Sequence, residues 1–128
     1  MAILNGATAV VGITAVFGGV LISLTATFAC CMVLDVLLKH VIAEHPGEWN
    51  RCGRPRGYFY CPPGSDMSFR GTLKLRSVFW RWVWLTPPEL TADHIGRGLV
   101  HWVRFLVIAI VVGWMMGALG ILMASLSG

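Results

Sequence analysis

The chain has 128 residues, of which 56% are hydrophobic and 12% charged, with ten Lys and Arg against six Asp and Glu. A soluble domain carries about 25% charged residues, so this chain lacks the polar surface to close a water-soluble globule of its size. Its apolar residues gather at the two ends, and all ten basic residues lie between Lys39 and Arg104, which excludes an evenly patterned core and predicts an all-α membrane domain: a two-transmembrane helical hairpin.

The first apolar stretch, Ala2 to Leu34, contains no charged side chain. Wholly helical, it would reach roughly 50 Å, longer than the ~30 Å hydrocarbon core of a bilayer. The predicted span is therefore 9–38, with the preceding residues at the far interface. A cleaved signal peptide is disfavoured, because no Lys or Arg precedes Lys39 and the run is about twice the length of an ordinary h-region. Within the run Ala15, Gly19, Ser23, Thr27 and Cys31 recur every fourth residue, and Asp35 and Lys39 continue the series. Small residues let helix backbones approach closely in lipid, so this row is expected to be a helix-packing surface. Asp35 is the only acid in an apolar run. It is expected to pair with Lys39 one turn on, with Arg104 as a second partner. The adjacent Cys30 and Cys31 read as small apolar residues.

The loop, 39–104, sets ten basic residues against five acidic ones, and its ends are marked by Lys39 and His40 on one side and Arg97 and Arg104 on the other. Basic loops of this length stay in the cytoplasm. Both termini are then periplasmic, in a bacterial inner membrane. From His45 to Ser68 the loop is thick with Gly, Pro, Ser and Asp, which predicts irregular turns and no helix longer than a turn or two. Trp49, Cys52, Tyr58, Phe59, Tyr60 and Cys61 sit among them and imply a packed segment. Cys52 and Cys61 lack the paired spacing of structural zinc, and a reducing cytoplasm argues against a disulfide. His45, Cys52, Cys61 and His94 share no specific spacing either, so no metal site is expected.

Over 70–85 the pattern turns helical. Leu75, Val78, Phe79, Trp82 and Leu85 share one side, and Arg70, Lys74, Ser77 and Arg81 the other. A basic amphipathic helix with aromatics on its apolar face reads as a helix lying in the membrane interface. Trp80 and Trp84 widen its apolar arc, and a cap over a small cytoplasmic core is the rival reading. That setting also argues against a nucleic-acid role. Thr86-Pro87-Pro88-Glu89 then predicts a helix start, with Thr86 as cap and Pro87 at the first helical position. The helix is expected to continue through His94 and Arg97 into the second span, bending at Gly96 and Gly98.

The second span, 105–126, carries no charge and matches the bilayer core at roughly 33 Å. Ala109, Gly113 and Gly117 repeat the spacing of small residues, and Gly120 and Ala124 add a further pair. Along the helix leading into it, His94, Arg97, His101 and Arg104 line one face suited to anionic headgroups or an acidic partner. Arg70, Lys74, Arg81, Trp82, Arg97 and Arg104 are thus the residues expected at phospholipid headgroups. His40 and His101, at the same membrane edge on different helices, are minor candidates for haem or a chlorophyll-type pigment, and no cofactor is otherwise expected. The sequence holds no nucleophile triad, paired carboxylate site, phosphate loop or HExxH pattern, so it reads as a non-enzyme.

Gly53-Arg54-Pro55 followed by Phe59, the aromatic helix through Phe79 and Leu85, and Pro88-Glu89-Leu90 before the second span resemble the small two-span bacterial membrane proteins of the universal stress protein B type. The double Pro and dense Trp depart from that pattern. The resemblance implies topology and an inner-membrane address, and no mechanism. The expected role is a non-catalytic accessory subunit stabilising a larger respiratory or photosynthetic membrane complex. The alternatives are a stress-linked regulator forming a homodimer through its glycines, and a haem- or pigment-binding electron-transfer subunit.

Overall fold

A computed structural model gives the structure of residues 2–126, with side chains described from Gly6 onward, Thr72 excepted. The described residues form five α-helices: α1 (Ala2–Glu44), α2 (Pro46–Arg51), α3 (Phe69–Trp84), α4 (Pro88–Ala92) and α5 (His94–Leu126). Two of them, α1 and α5, are long and apolar enough to cross a membrane. Both outrun the predicted spans. Helix α1 continues past residue 38 because Val41 is fully buried and carries the apolar pattern on to Glu44, while α5 takes in the basic turns from His94.

The chain divides into two compact units, residues 1–28 with 106–128 and residues 29–105. In the first unit, α1 and α5 run antiparallel and meet through glycine. A Cβ on Gly19 would lie 2.7 Å from the Gly117 amide nitrogen, and one on Gly12 would lie 2.8 Å from the Gly120 carbonyl oxygen. Only a residue without a side chain permits such backbone contact. Ser23 is buried between them and donates its hydroxyl to the Ile110 carbonyl at 3.2 Å. The buried series on α1 is Gly12, Gly19, Ser23 and Ala26. Of the predicted row of every fourth residue, Gly19 and Ser23 lie in the contact, while Ala15 is half-buried and Thr27 is exposed, its hydroxyl turned back to the Ser23 carbonyl. Such a row winds around the helix, whereas two helices stay in register along a seam that alternates three and four residues. On α5 that seam is Gly113, Gly117 and Gly120, with Ala109 half-buried. The outward side chains, Phe17, Leu21, Phe28, Trp114, Met115 and Leu119 among them, are apolar and exposed.

The second unit closes its own core from Leu37, Leu38, Val41, Leu75, Val78, Phe79, Trp82, Val83, Leu90, Val100 and Val103. The predicted amphipathic helix is present as α3, started by Ser68, whose hydroxyl accepts the Gly71 amide hydrogen bond at 3.1 Å. Its apolar face, however, is covered by protein. Leu75, Val78, Phe79 and Trp82 are buried, and Leu85 is 78% exposed as the C-cap residue. The ends of α1 and α5 supply the apolar partners that the loop alone lacks. Residues 45–68 hold only the six-residue α2, in keeping with their turn-forming composition. Inside this segment the prolines 55 and 62 are buried, while Tyr58, Phe59 and Cys61 are exposed.

The helix start at 86–89 differs in detail. Pro87 stands at the N-cap of α4 without a side-chain bond, and Thr86 instead accepts from the Arg104 guanidinium at 3.0 Å. The chain then breaks at Asp93, not at Gly96 and Gly98. Asp93 is extended, and its carboxylate accepts from the amides of Ile95 (3.0 Å) and Gly96 (3.2 Å), capping α5.

Substituting Gly19 with Ala is expected to lower stability in detergent micelles by about 1–3 kcal/mol, since backbone must move to admit the methyl group. Gly18, whose Cβ would meet nothing within 4 Å, should tolerate the same change. Equal unfolding midpoints for the two variants in a denaturant titration would contradict the glycine seam.

Candidate functional site

Polar chemistry in the second unit is organised around three carboxylates. Asp35, on α1, accepts three backbone hydrogen bonds, from the amides of Tyr58 (2.7 Å), Phe59 (2.7 Å) and Tyr60 (2.9 Å). The Gly57 amide closes the turn onto the Tyr60 carbonyl at 2.7 Å, and a Cβ on Gly57 would lie within 2.9 Å of the Asp35 carboxyl carbon. Successive amides converging on one anion form a nest. Here the anion is the chain's own side chain. The predicted Asp35–Lys39 pair is therefore not formed. A nest of three donors satisfies a buried carboxylate more completely than one exposed ammonium, and Lys39 places its Nζ 4.7 Å from the centre of the Tyr60 ring instead. Arg104 is likewise engaged elsewhere, donating to the Val83 carbonyl at 2.7 Å as well as to Thr86.

Glu48, on α2, is 3% exposed. It pairs with Arg51 at 2.8 Å and lies 3.8 Å from Arg81, and it accepts from the Trp82 indole (3.4 Å) and the Cys52 thiol (3.3 Å). Trp82, expected at lipid headgroups, is instead fully buried with its N–H on Glu48. An indole in a protein core needs an acceptor, and Glu48 provides it. Burial, reinforced by the hydrogen bond to Glu48, pushes the Cys52 thiol up to about 11 from its ordinary 9.0.

The third carboxylate, Asp93, caps α5 and is hydrogen-bonded by the ring Nε2 of His40, with His45 Nε2 3.7 Å away. The hydrogen bond from His40 and the two backbone amides hold Asp93 at about 2, below the usual carboxylate range. His40, read as a cofactor candidate, is thus engaged with Asp93. His101 lies apart, in a shallow apolar groove with Gly98, Trp102 and Phe105. Of the basic residues expected at headgroups, Lys74 sits 3.7 Å from Asp66 and Arg81 faces Glu48, while Arg70 and Arg97 are exposed.

Around these anchors an aromatic surface remains uncovered. Trp80 and Trp84 stack at 5.9 Å and are about half exposed, the Arg104 guanidinium lies 6.0 Å from the centre of the Trp84 ring, and Trp102 meets Phe105 edge to face. Glu48, His45, Asp93 and Gly57 organise the unit without standing out as such in the sequence. Asp93 was within reach, since an Asp directly before an apolar helical run is an N-cap signal. Glu48 and Gly57 combine local contacts with ones distant in sequence, to Trp82 and Asp35, which spacing does not reveal.

Compared with protein-family models, with curated proteins and with solved structures, the chain matches none.

The raised Cys52 thiol has two consequences. At a given pH its thiolate population should be about 100-fold below that of an unshifted thiol, so iodoacetamide should label exposed Cys61 first in the folded protein and both cysteines alike after denaturation. Because the unfolded chain releases this proton first, stability should fall as pH rises from 9.0 towards about 11. Equal labelling of Cys52 and Cys61 in the folded protein, mapped by mass spectrometry, would contradict the burial of Cys52 against Glu48.

Proposed function

We propose that this chain is a non-catalytic accessory subunit of a bacterial inner-membrane complex, a two-span hairpin with both termini periplasmic and the basic loop in the cytoplasm. The observation that carries the reading is the aromatic and basic surface left exposed on a unit whose own core is already closed. Trp80, Trp84, Leu85, Trp102 and Phe105 remain exposed, although the same unit has buried Trp82 and Phe79 completely or nearly so. Trp and Arg are enriched in protein interfaces and Trp at headgroup depth, so a membrane-edge surface of this composition suits a neighbouring subunit with headgroups around it. Exposed Arg70 and Arg97 supply the headgroup contacts, and the confinement of basic residues to 39–104 supports the orientation.

The alternative of a self-associating regulator has less support: of the glycines that would join two copies, Gly113 already faces Ser23 and Gly19 within one chain, whereas a Cβ on Gly117 would meet nothing within 4 Å. The haem or pigment reading has less support, since His40 is hydrogen-bonded to Asp93 and His101 lies apart from it in an apolar groove. The likeness to universal stress protein B-type proteins supports the same topology and adds no activity.

Two experiments address this reading. Native membranes solubilised in mild detergent and run on a native gel should show the chain migrating with a larger assembly; migration only as a free monomer would overturn the accessory role. A membrane-impermeant maleimide should label Cys61 in inverted vesicles and leave it unlabelled in intact spheroplasts. The reverse pattern would overturn the orientation.

A further inference from the structure

We propose that His40, His45 and Asp93 form a binding site for a divalent transition-metal ion, with Zn²⁺ as the fitting occupant. The three residues come from three separate places in the second unit: the last turns of α1, the residue between α1 and α2, and the extended residue between α4 and α5. One ligand atom from each lies within 4.8 Å of the others. His45 Nε2 is 3.7 Å from Asp93 Oδ2, and His40 Nε2 bonds the same oxygen. Metal–ligand bonds of about 2.0–2.2 Å at tetrahedral angles place ligand atoms roughly 3.3–3.6 Å apart. The cluster is therefore at the scale of a metal site, needing only His40 and Asp93 to part by a small side-chain rotation.

A second observation singles out His45. Its Nε2 is buried and has no hydrogen-bond partner among the described residues. A buried polar nitrogen left unsatisfied is costly, and a metal ion at the centre of the cluster would satisfy it. The two imidazole rings lie at 77° with centroids 6.2 Å apart, so they do not stack against each other.

Asp93 is already held in place. Its two oxygens accept the amides of Ile95 and Gly96, and a Cβ at position 96 would come within 3.0 Å of Oδ2. Such outer contacts orient a ligating carboxylate, and glycine at 96 leaves it room. The donor set selects the ion. Two imidazoles and one carboxylate suit Zn²⁺ and its first-row neighbours, whereas Ca²⁺ and Mg²⁺ take oxygen ligands. Three protein ligands leave a fourth position for water, and the three side chains are partly exposed, at 15%, 23% and 21% for His40, His45 and Asp93, although His45 Nε2 itself is buried. A bound ion would brace the end of α1 to the start of α5. The inference is independent of the accessory role, because it concerns the isolated chain.

The test uses the full chain in detergent micelles, stripped with chelator and titrated with Zn²⁺ or Co²⁺. One ion per chain is expected, with a Co²⁺ spectrum of nitrogen and oxygen ligation and no thiolate charge-transfer band. His45→Gln should weaken Zn²⁺ binding by roughly 100-fold or more, beyond the loss from an outer-shell change, while a Cys52→Ser, Cys61→Ser double variant should bind as the parent does. In the unsubstituted chain, Zn²⁺ should protect His40 and His45 from diethyl pyrocarbonate and leave His94 and His101 reactive, a readout that does not depend on any variant folding. No bound ion, unchanged affinity in a folded His45→Gln, binding lost with the cysteines, or equal reactivity of all four histidines with and without Zn²⁺ would each overturn the site.

Discussion

The carboxylate of Asp35, held by the backbone amides of residues 58, 59 and 60, is the interaction on which the ordered loop depends. An anion within an otherwise uncharged stretch of helix has few partners, and an irregular loop without a long helix has many backbone donors in need of acceptors. Each need answers the other. Charge-assisted hydrogen bonds contribute about 1.5–3 kcal/mol each, so this clasp is strong enough to fix a turn that has almost no secondary structure of its own. From it the packing continues: Tyr58 stacks on Phe79, Phe79 meets Trp82, and Trp82 donates to Glu48. The loop between the two apolar helices thus has a core with named anchors, and α3 is part of that core through its apolar face.

The apolar helices are joined by a different physics. Both are long and apolar enough to cross a membrane, and for helices placed in lipid close backbone contact replaces the hydrophobic gain that joins helices in water. Gly12, Gly19, Gly113 and Gly120 provide that contact within one chain, and Ser23 adds a hydrogen bond across it. Large apolar residues face outward, with small ones such as Thr25, Thr27 and Ala118 exposed among them. Phe, Leu, Trp and Met side chains are exposed along the apolar helices, and the Trp80–Trp84 pair is exposed on the loop unit.

Much of the architecture is legible in the sequence for simple reasons. Charge depletion over more than twenty residues at each end marks the two long helices, and the three- and four-residue spacing of apolar side chains marks α3 to within a residue. The site was less legible. Spacing marks Gly19, Ser23, Gly113 and Gly117 as packing residues but not Gly12 and Ala26 beside them, because a row of every fourth residue looks regular in sequence while the contact follows a period nearer 3.5. The charge of Asp35 stands out in the sequence and its nearest cation is Lys39, but spacing shows local partners and conceals a loop that returns from 23 to 25 residues away. Trp82 was placed at the membrane for the same reason: periodicity identifies an apolar face without saying whether lipid or protein covers it.

Amide hydrogen exchange at residues 58–60 tests the central claim most directly. In the parent chain these three amides should exchange slowly despite lying in an irregular loop, and Asp35→Ala should release all three and loosen α3 with them, while leaving the Gly113 and Gly117 region of α5 protected. Fast exchange at 58–60 in the parent, or unchanged protection there in Asp35→Ala, would show that the loop is ordered by something other than the Asp35 clasp.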